Sequence, residues 1–242
     1  MVAGSLARAG YFMGDKLMPA SASNPRGFFE DIHVNSLNED ILEQAPAGFR
    51  NPILHKPRKR NPVRHQRWLI EMPVTTIITA TPSLVARIQT LVNREPYCFK
   101  DPRFSYTLPA WQPHLRNAVV VVVFRHPVET ARSIVRECAD EPRLRGLGMK
   151  MGRAVRIWQA TYARALHLAR GQDDWLFLEY EQVLRGNGLQ RLAAATGARI
   201  DTDFPAQALH RNVSRVKLHG RNRRLYSALC AKAGIAPAGA RE

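Results

Sequence analysis

The hydrophobic pattern of this chain is organised around one unbroken apolar run near its middle. Residues 118–124, Ala-Val-Val-Val-Val-Val-Phe, are apolar at every position. Such a run is typical of a strand that is buried on both faces, as in the centre of a parallel sheet. Arg125 follows at once, and Pro127 suits the first position of a helix. The pattern therefore predicts a buried strand that ends in a cation and leads into a helix.

Apolar residues at helical spacing and two shorter apolar stretches surround this strand. They predict helices over about 2–9, 30–44, 81–93, 108–115, 149–170 and 189–196, with further strands over 97–100 and 175–178. The order strand, helix, strand, helix requires right-handed crossovers and a parallel sheet. We expect one α/β domain over residues 1–242, with a central parallel sheet flanked by helices in three layers.

Two segments lack this periodicity. Residues 50–67 hold seven Lys or Arg residues, three prolines and little that could enter a core. They are interpreted as a basic loop that is either a solvated surface stretch or the rim of a site for an acidic substrate or a nucleic acid. Residues 235–242 are rich in Ala, Pro and Gly, and we expect a disordered tail there.

Charge and cysteine content narrow the class of protein. The formal net charge is +16 and comes mostly from arginine, which favours anionic ligands if the cations lie together in the fold. The three cysteines have no metal-like spacing, so we expect no bound metal and a reduced, cytoplasmic setting. The apolar run over 118–124 is too short to cross a bilayer, and we expect no transmembrane segment.

The nucleotide and hydrolase motifs that are easiest to recognise do not occur. There is no Gly-x-x-x-x-Gly-Lys-Ser/Thr, no Gly-x-Gly-x-x-Gly after a strand and no Gly-x-Ser-x-Gly. The informative polar residues instead follow the predicted strands. They are Lys100 with Asp101 and Arg103, Arg125 with Ser133, and Glu179 with Glu181. Because ligands bind at the carboxyl ends of parallel strands, these positions are the candidates for a site.

Five stretches, in order and spacing, resemble bacterial sulfotransferases from the first residue to about Leu184. They are Gly10-Tyr-Phe-Met-Gly-Asp, Ser23-Asn-Pro-Arg-Gly-Phe-Phe-Glu-Asp, Lys100-Asp-Pro-Arg, Arg125-His-Pro with Ser133, and Leu178-Glu-Tyr-Glu. The resemblance implies a fold like that of P-loop nucleotide kinases. It also implies that the chain transfers a sulfuryl group to a hydroxyl or amine from 3'-phosphoadenosine 5'-phosphosulfate, abbreviated PAPS.

The resemblance assigns roles to several residues. Lys100 would stabilise the leaving phosphate oxygen, and Arg125 and Ser133 would hold the 3'-phosphate of the donor. In the alternative interpretation, Lys100 simply pairs with Asp101. The basic cluster that begins at Gly220 adds Arg221 as a weaker candidate for the nucleotide, although it cannot be matched residue by residue. In the alternative interpretation, residues 221–232 form a solvated basic helix with no ligand.

The general base is harder to assign. Many relatives have a histidine two residues after the matched lysine, and this chain has Pro102 there. Related enzymes use a glutamate after the first helix, a position that Glu30 matches. Asp31, Asp101 and His33 are competitors, and Arg103 would orient a carboxylate. Glu30 could equally be a helix N-terminal residue that complements the dipole.

The family also carries a strand and a loop of the type Pro-Arg-Ser-Gly-Thr before the helix that begins this sequence. We expect either that the start codon lies upstream of Met1 or that the chain is truncated and lacks half of its donor site. In the second case we expect weak or absent transferase activity and an exposed apolar groove where a central strand should lie.

Two other functions remain open. The chain could be an inactive, truncated homologue, or the net charge and residues 50–67 could serve a nucleic acid, which we consider less favoured because it does not explain Arg125 at the end of a buried strand. The acceptor is not defined by the sequence. The basic loop suggests an anionic acceptor such as a glycan, unless that loop makes no contact with it.

Overall fold

The computed structural model describes residues 1–20, 24, 27–45, 62–201 and 216–237. Within these residues the protein is a mixed α/β structure, as predicted, with a two-stranded parallel sheet and helices around it. Strand β1 (Val120–Phe124) pairs with β2 (Trp175–Glu179) in a register that runs from Val120 opposite Trp175 to Phe124 opposite Glu179. The apolar run over 118–124 therefore contains a strand, and Arg125 follows its end.

Ten α-helices are present in the described part of the chain. They are α1 (Val2–Arg8), α2 (Ile32–Glu43), α3 (Pro82–Val92), α4 (Phe104–Trp111), α5 (Pro127–Asp140), α6 (Pro142–Arg145), α7 (Met151–Leu168), α8 (Tyr180–Leu184), α9 (Asn187–Thr196) and α10 (Gly220–Lys232). Short 3-10 turns cover Arg67–Leu69 and Gln112–His114. The long predicted helices are thus confirmed, with ends that differ by a few residues.

Helices pack on both faces of the small sheet, which explains why β1 is apolar at every position. Val122 and Phe124 face a cluster that includes Trp158 of α7 and Tyr226 of α10. Val121 faces the opposite cluster, to which α1 and α9 contribute. Because successive side chains of a strand point to opposite faces, both sets of valines are needed to fill the two clusters.

The predicted strand over 97–100 is wrong as a full strand. Only Tyr97 forms a β-bridge, with Phe12, and this segment joins no ladder of the described residues. Phe12 N–H donates to Pro96 at 2.8 Å and Cys98 N–H donates to Phe12 at 2.9 Å. The chain is extended here, but Phe12 offers a single bridging residue, so no ladder develops.

The helix predicted over 108–115 begins earlier, at Phe104. The carboxylate of Asp101 accepts the N–H of Arg103 at 2.9 Å and closes the turn from which α4 starts. Residues 112–114 of the predicted helix form a 3-10 turn instead, after Pro109 inside α4. The charged turn Asp-Pro-Arg is therefore the start of the helix and not only the end of an extended segment.

The described part of the basic segment, residues 62–67, forms ion pairs with acidic side chains of α2. Arg64 pairs with Asp40 at 2.7 Å and with Glu43 at 3.0 Å, and Arg67 pairs with Glu39 at 3.2 Å and with Glu43 at 2.9 Å. These pairs favour a surface role for residues 62–67, because both guanidinium groups are neutralised. Residues 50–61 and 238–242 lie outside the described residues. In the part of the chain that is described, no helix combines the length and the apolar character of a membrane span.

Candidate functional site

Lys100, Glu30 and Asn35 form a charged cluster, here called the Lys100 end. Lys100 Nζ donates to Glu30 Oε1 at 2.5 Å, and Asn35 Nδ2 donates to Glu30 Oε2 at 3.2 Å. Glu30 is 7% exposed, whereas the Lys100 side chain is 40% exposed. The fold thus brings together two candidate residues that lie 70 positions apart in the sequence. The interpretation that Lys100 pairs with Asp101 is wrong, since its carboxylate partner is Glu30.

The loop before α2 fixes Glu30 through its neighbour Asp31. Asp31 is the N-cap of α2, and its Oδ1 accepts the N–H groups of His33 at 2.8 Å and Val34 at 3.0 Å. Its Oδ2 accepts Lys16 N–H at 2.8 Å. These bonds use the carboxylate of Asp31 in the cap, and the His33 side chain is exposed. Of the predicted competitors around α2, Glu30 is the one that contacts Lys100.

Backbone freedom at Gly14 permits this arrangement. Gly14 has a φ of +114°, and a Cβ at this position would lie 2.3 Å from the Cβ of Asp31. A side chain would therefore displace the capping carboxylate as well as strain the backbone.

A buried polar network lies directly beneath the Lys100 end. Arg103 Nε donates to Glu39 at 2.7 Å, and its Nη1 donates to Asp101 at 2.9 Å. Asn38 Nδ2 donates to the other oxygen of Asp101 at 2.9 Å, and Asn38 Oδ1 accepts Thr107 Oγ1 at 2.8 Å. Burial raises the pKa of Asp101 to about 6, while Arg103 and Asn38 oppose that rise. Asp101 is thus a structural partner of Arg103. In the described contacts Arg103 binds Asp101 and Glu39, while the partners of Glu30 are Lys100 and Asn35.

Arg125 lies at the carboxyl end of β1, at a second location here called the Arg125 end. Its guanidinium is 3.6 Å from the carboxylate of Glu129 on α5, and its Cζ is 4.8 Å from the ring centroid of Tyr180. A cavity of about 260 Å³ opens here, lined by Arg125, His126, Glu129 and Glu179 among others. The lining contains carboxylates as well as cations, so the cavity does not carry a purely positive charge.

Two titratable groups of this cavity are perturbed by burial. Desolvation raises the pKa of Glu179 to about 7, while the N–H of Glu181 opposes the rise by donating to its carboxylate at 2.6 Å. Desolvation lowers the pKa of His126, whose Nδ1 has no hydrogen-bond partner among the described residues. Near pH 7 Glu179 is therefore only about half ionised, and the neutral form of His126 is favoured, so an anion would meet less repulsion from Glu179 than from a fully ionised carboxylate.

Ser133 and Arg221, the other predicted donor residues, are exposed. Ser133 lies on α5 and Arg221 in the first turn of α10. Neither is among the residues that line the cavity at Arg125 in the described structure. Tyr226, further along α10, does line it, and its ring centroid is 5.4 Å from that of His126.

An apolar groove of about 630 Å³ lies between β1 and the extended segment 96–101. Val119, Val121 and Val123 form one wall, and Tyr97 and Phe99 lie on the other. Lys100 and Asp101 line the same groove. The groove therefore runs along β1 and reaches the Lys100 end.

Several contact residues were not foreseen from the sequence. Asn35 donates to Glu30, Glu129 pairs with Arg125, and Tyr180 stacks beneath Arg125. Glu129 follows Arg125 by four residues, in the first turn of the helix predicted from Pro127, and this short separation was a visible signal for their ion pair. The other two contacts depend on tertiary packing and had no local signal.

Comparison of the chain with protein-family models, with curated proteins and with solved structures gives no match.

Proposed function

We propose that this protein is a PAPS-dependent sulfotransferase with a fold like that of P-loop nucleotide kinases. The acceptor in this proposal is a hydroxyl or an amine, and no metal takes part. The observation that carries the proposal is the contact between Lys100 and Glu30, because sulfuryl transfer requires a cation and a proton acceptor beside the reacting atoms.

The contact between Lys100 and Glu30 suits both the bond that forms and the bond that breaks in this reaction. A bond forms between the acceptor oxygen or nitrogen and the sulfur atom, and the bond between sulfur and the bridging phosphate oxygen breaks. Lys100 would neutralise the charge that develops on the leaving phosphate, as cations do in phosphoryl transfer. Glu30 would take the proton of the acceptor, and Asn35, which donates to its second oxygen, would fix the orientation of the carboxylate.

Arg125 would bind the 3'-phosphate of the donor. It lies at the C-terminal edge of a parallel strand and precedes the N-terminus of α5, and both locations favour anions. Its guanidinium lies 3.6 Å from the carboxylate of Glu129, which orients it, and the planar fork of an arginine suits a phosphate group. Ser133 would add a hydroxyl donor from α5, and Arg221 a cation from α10.

Binding of 3',5'-bisphosphoadenosine tests the donor site without an acceptor. We expect the ligand to raise the melting temperature of the protein, and adenosine 5'-monophosphate, which lacks the 3'-phosphate, to have little effect. Arg125→Ala should abolish the shift. Arg132→Ala is the matched control, because Arg132 pairs with the same carboxylate at 2.8 Å but is half-exposed, and it should retain the shift.

A second experiment tests the transfer of the sulfuryl group itself. With 4-nitrophenyl sulfate as the sulfuryl source and 3',5'-bisphosphoadenosine as the acceptor, release of 4-nitrophenolate reports the transfer. Lys100→Met should lower the rate about 100-fold or more and leave nucleotide binding within a few-fold, and Lys150→Met should change neither. Absence of a thermal shift would refute the donor assignment, whereas binding without transfer would identify the protein as an inactive homologue.

A further inference from the structure

The carboxylate of Glu179 is buried beside Arg125. Glu179 is the last residue of β2 and lies opposite Phe124 in the parallel register, so its neighbour across the strands is the residue that precedes Arg125. Glu179 is 5% exposed, and it lines the cavity of about 260 Å³ together with Arg125. A ligand that fills this cavity therefore contacts both side chains.

The charged groups that line the cavity leave Glu179 without a counterion. Arg125 lies 3.6 Å from Glu129, and Arg185 lies 3.4 Å from Glu181. The described lining thus contains two arginines and three carboxylates, and Glu179 is the carboxylate that forms no ion pair with a described residue. Its Oε2 accepts the backbone N–H of Glu181 at 2.6 Å, which brings no full positive charge. An ionised Glu179 therefore gives the lining an excess of negative charge before any anion enters.

The other groups that pack around Glu179 come from the start of α5, from α9 and from α10. Burial lowers the pKa of His126, raises the pKa of Tyr226 and raises the pKa of Cys230 to about 11, so these three side chains are neutral between pH 7 and pH 9. Arg191 of α9 donates to two backbone carbonyls. Burial also raises the pKa of Glu179 to about 7, so one proton taken up at this carboxylate removes the excess negative charge at little cost.

We propose that Glu179 binds the anion at the Arg125 end as a neutral carboxylic acid, which donates its O–H to an oxygen of the ligand while Arg125 donates its N–H groups. The proton comes from the solvent and forms the O–H bond of Glu179, and the ligand keeps all of its covalent bonds. This inference rests on the proposed function, in which the anion is the 3'-phosphate of the donor. A protonated carboxyl group has a donor that the carboxylate lacks, so the same side chain changes from a repelling group into a bonding one.

Sulfate is the probe for this inference, because it is tetrahedral and stays a dianion between pH 7 and pH 9. In calorimetry on the full chain at constant ionic strength, we expect the Kd of sulfate to rise at least tenfold from pH 7 to pH 9, since the protonated fraction of Glu179 falls over this range. At pH 8, the heats of binding in buffers of different ionisation enthalpy should report an uptake of about one proton per sulfate.

Three variants assign these effects to the cavity. Glu179→Gln keeps a donor but does not titrate, so its Kd should change less than about twofold over the same pH range, with no proton uptake. Glu181→Gln is the matched control from the same cavity, and it should keep the wild-type pH dependence. Arg125→Ala should weaken the binding of sulfate at least tenfold.

The proposal is overturned if sulfate does not bind, or if it binds equally well to Arg125→Ala. It is also overturned if sulfate binds the wild type without proton uptake, or if Glu179→Gln takes up as many protons as the wild type. The proton count on the unaltered protein remains decisive if a variant does not fold.

The proposed function fails in a different way. If sulfate binds with proton uptake but 3',5'-bisphosphoadenosine does not bind, the donor assignment is refuted and the role of Glu179 at an anion site stands. If both ligands bind without proton uptake, the donor site stands and the role of Glu179 is refuted.

Discussion

The Lys100 end and the Arg125 end differ in how their buried polar groups are satisfied. Beneath Lys100, Asp101, Arg103, Glu39 and Asn38 bond one another. Around Arg125, burial raises the pKa of Glu179 to about 7 and lowers the pKa of His126. The pKa of Asp101 is also raised, to about 6, but Arg103 and Asn38 bond its carboxylate and hold its geometry. Glu179 has no cation bonded to it in the described structure, and with a pKa of about 7 it changes charge when a ligand binds or the pH changes. We therefore expect the Lys100 end to keep its geometry, and the Arg125 end to change its charge when a ligand binds or the pH changes.

The largest expected effect comes from Arg103→Met, which breaks the network at the Lys100 end. It would leave Glu39 and Asp101 buried with one cation fewer, at a cost of about 3–5 kcal/mol in the free energy of unfolding, measured by urea denaturation.

Arg87→Met is the control for this change. Arg87 pairs with Asp40 at 2.6 Å, but its side chain is 45% exposed, so its loss should cost less than about 1 kcal/mol. Equal costs for the two variants would mean that the buried network stabilises no more than a surface pair does.

A smaller effect, and one that depends on pH, is expected from Glu179→Gln at the Arg125 end. The native pKa of Glu179 is raised to about 7 from 4.5, so the folded state binds the extra proton between these values. Its contribution is present at low pH and is lost as the pH rises from about 4.5 to 7. The variant, which carries no charge there, should be more stable than the wild type at pH 8 by on the order of 2 kcal/mol and similar at pH 4.5.

The measurement is urea denaturation across this pH range. Glu181→Gln replaces another carboxylate of the same cavity and leaves Glu179 in place, so it should keep the wild-type dependence of stability on pH. A parallel pH dependence of Glu179→Gln and the wild type would show that Glu179 is ionised throughout.

Ser133→Ala should give the smallest effect. Ser133 is exposed on α5, so stability should change by less than about 0.5 kcal/mol. If its hydroxyl bonds the 3'-phosphate, the affinity for 3',5'-bisphosphoadenosine in calorimetry should fall about three- to tenfold. Thr130→Ala on the same helix should not change the affinity, since the Thr130 hydroxyl already donates to His126. Unchanged affinity in Ser133→Ala would remove Ser133 from the site.

The sequence was sufficient for features that depend on local pattern. The apolar run over 118–124 predicted β1, and the proline at 127 predicted the start of α5. The pairing of Lys100 with Glu30 was not predicted as a contact, although both were candidates, because it joins segments 70 positions apart. The segment 97–100 failed as a strand because strand formation depends on neighbours and not on composition alone.

The sequence also could not assign a separate role to each candidate carboxylate. Asp31, Asp101 and Glu30 are similar in composition and neighbourhood, yet the first caps α2, the second binds Arg103 and the third binds Lys100. Burial and hydrogen bonding separate them, and both arise only from packing.

The contact between Gly14 and Asp31 has a consequence for which sequences can share this fold. A Cβ at Gly14 would overlap Asp31, whereas a Cβ at Gly10, with a φ of +89°, would meet no atom within 4 Å. Position 10 should accept alanine at a modest backbone cost, and position 14 should accept no other residue without loss of the cap on α2. The substitutions that position 14 tolerates are therefore limited by Asp31, the neighbour of Glu30, which lies later in the sequence.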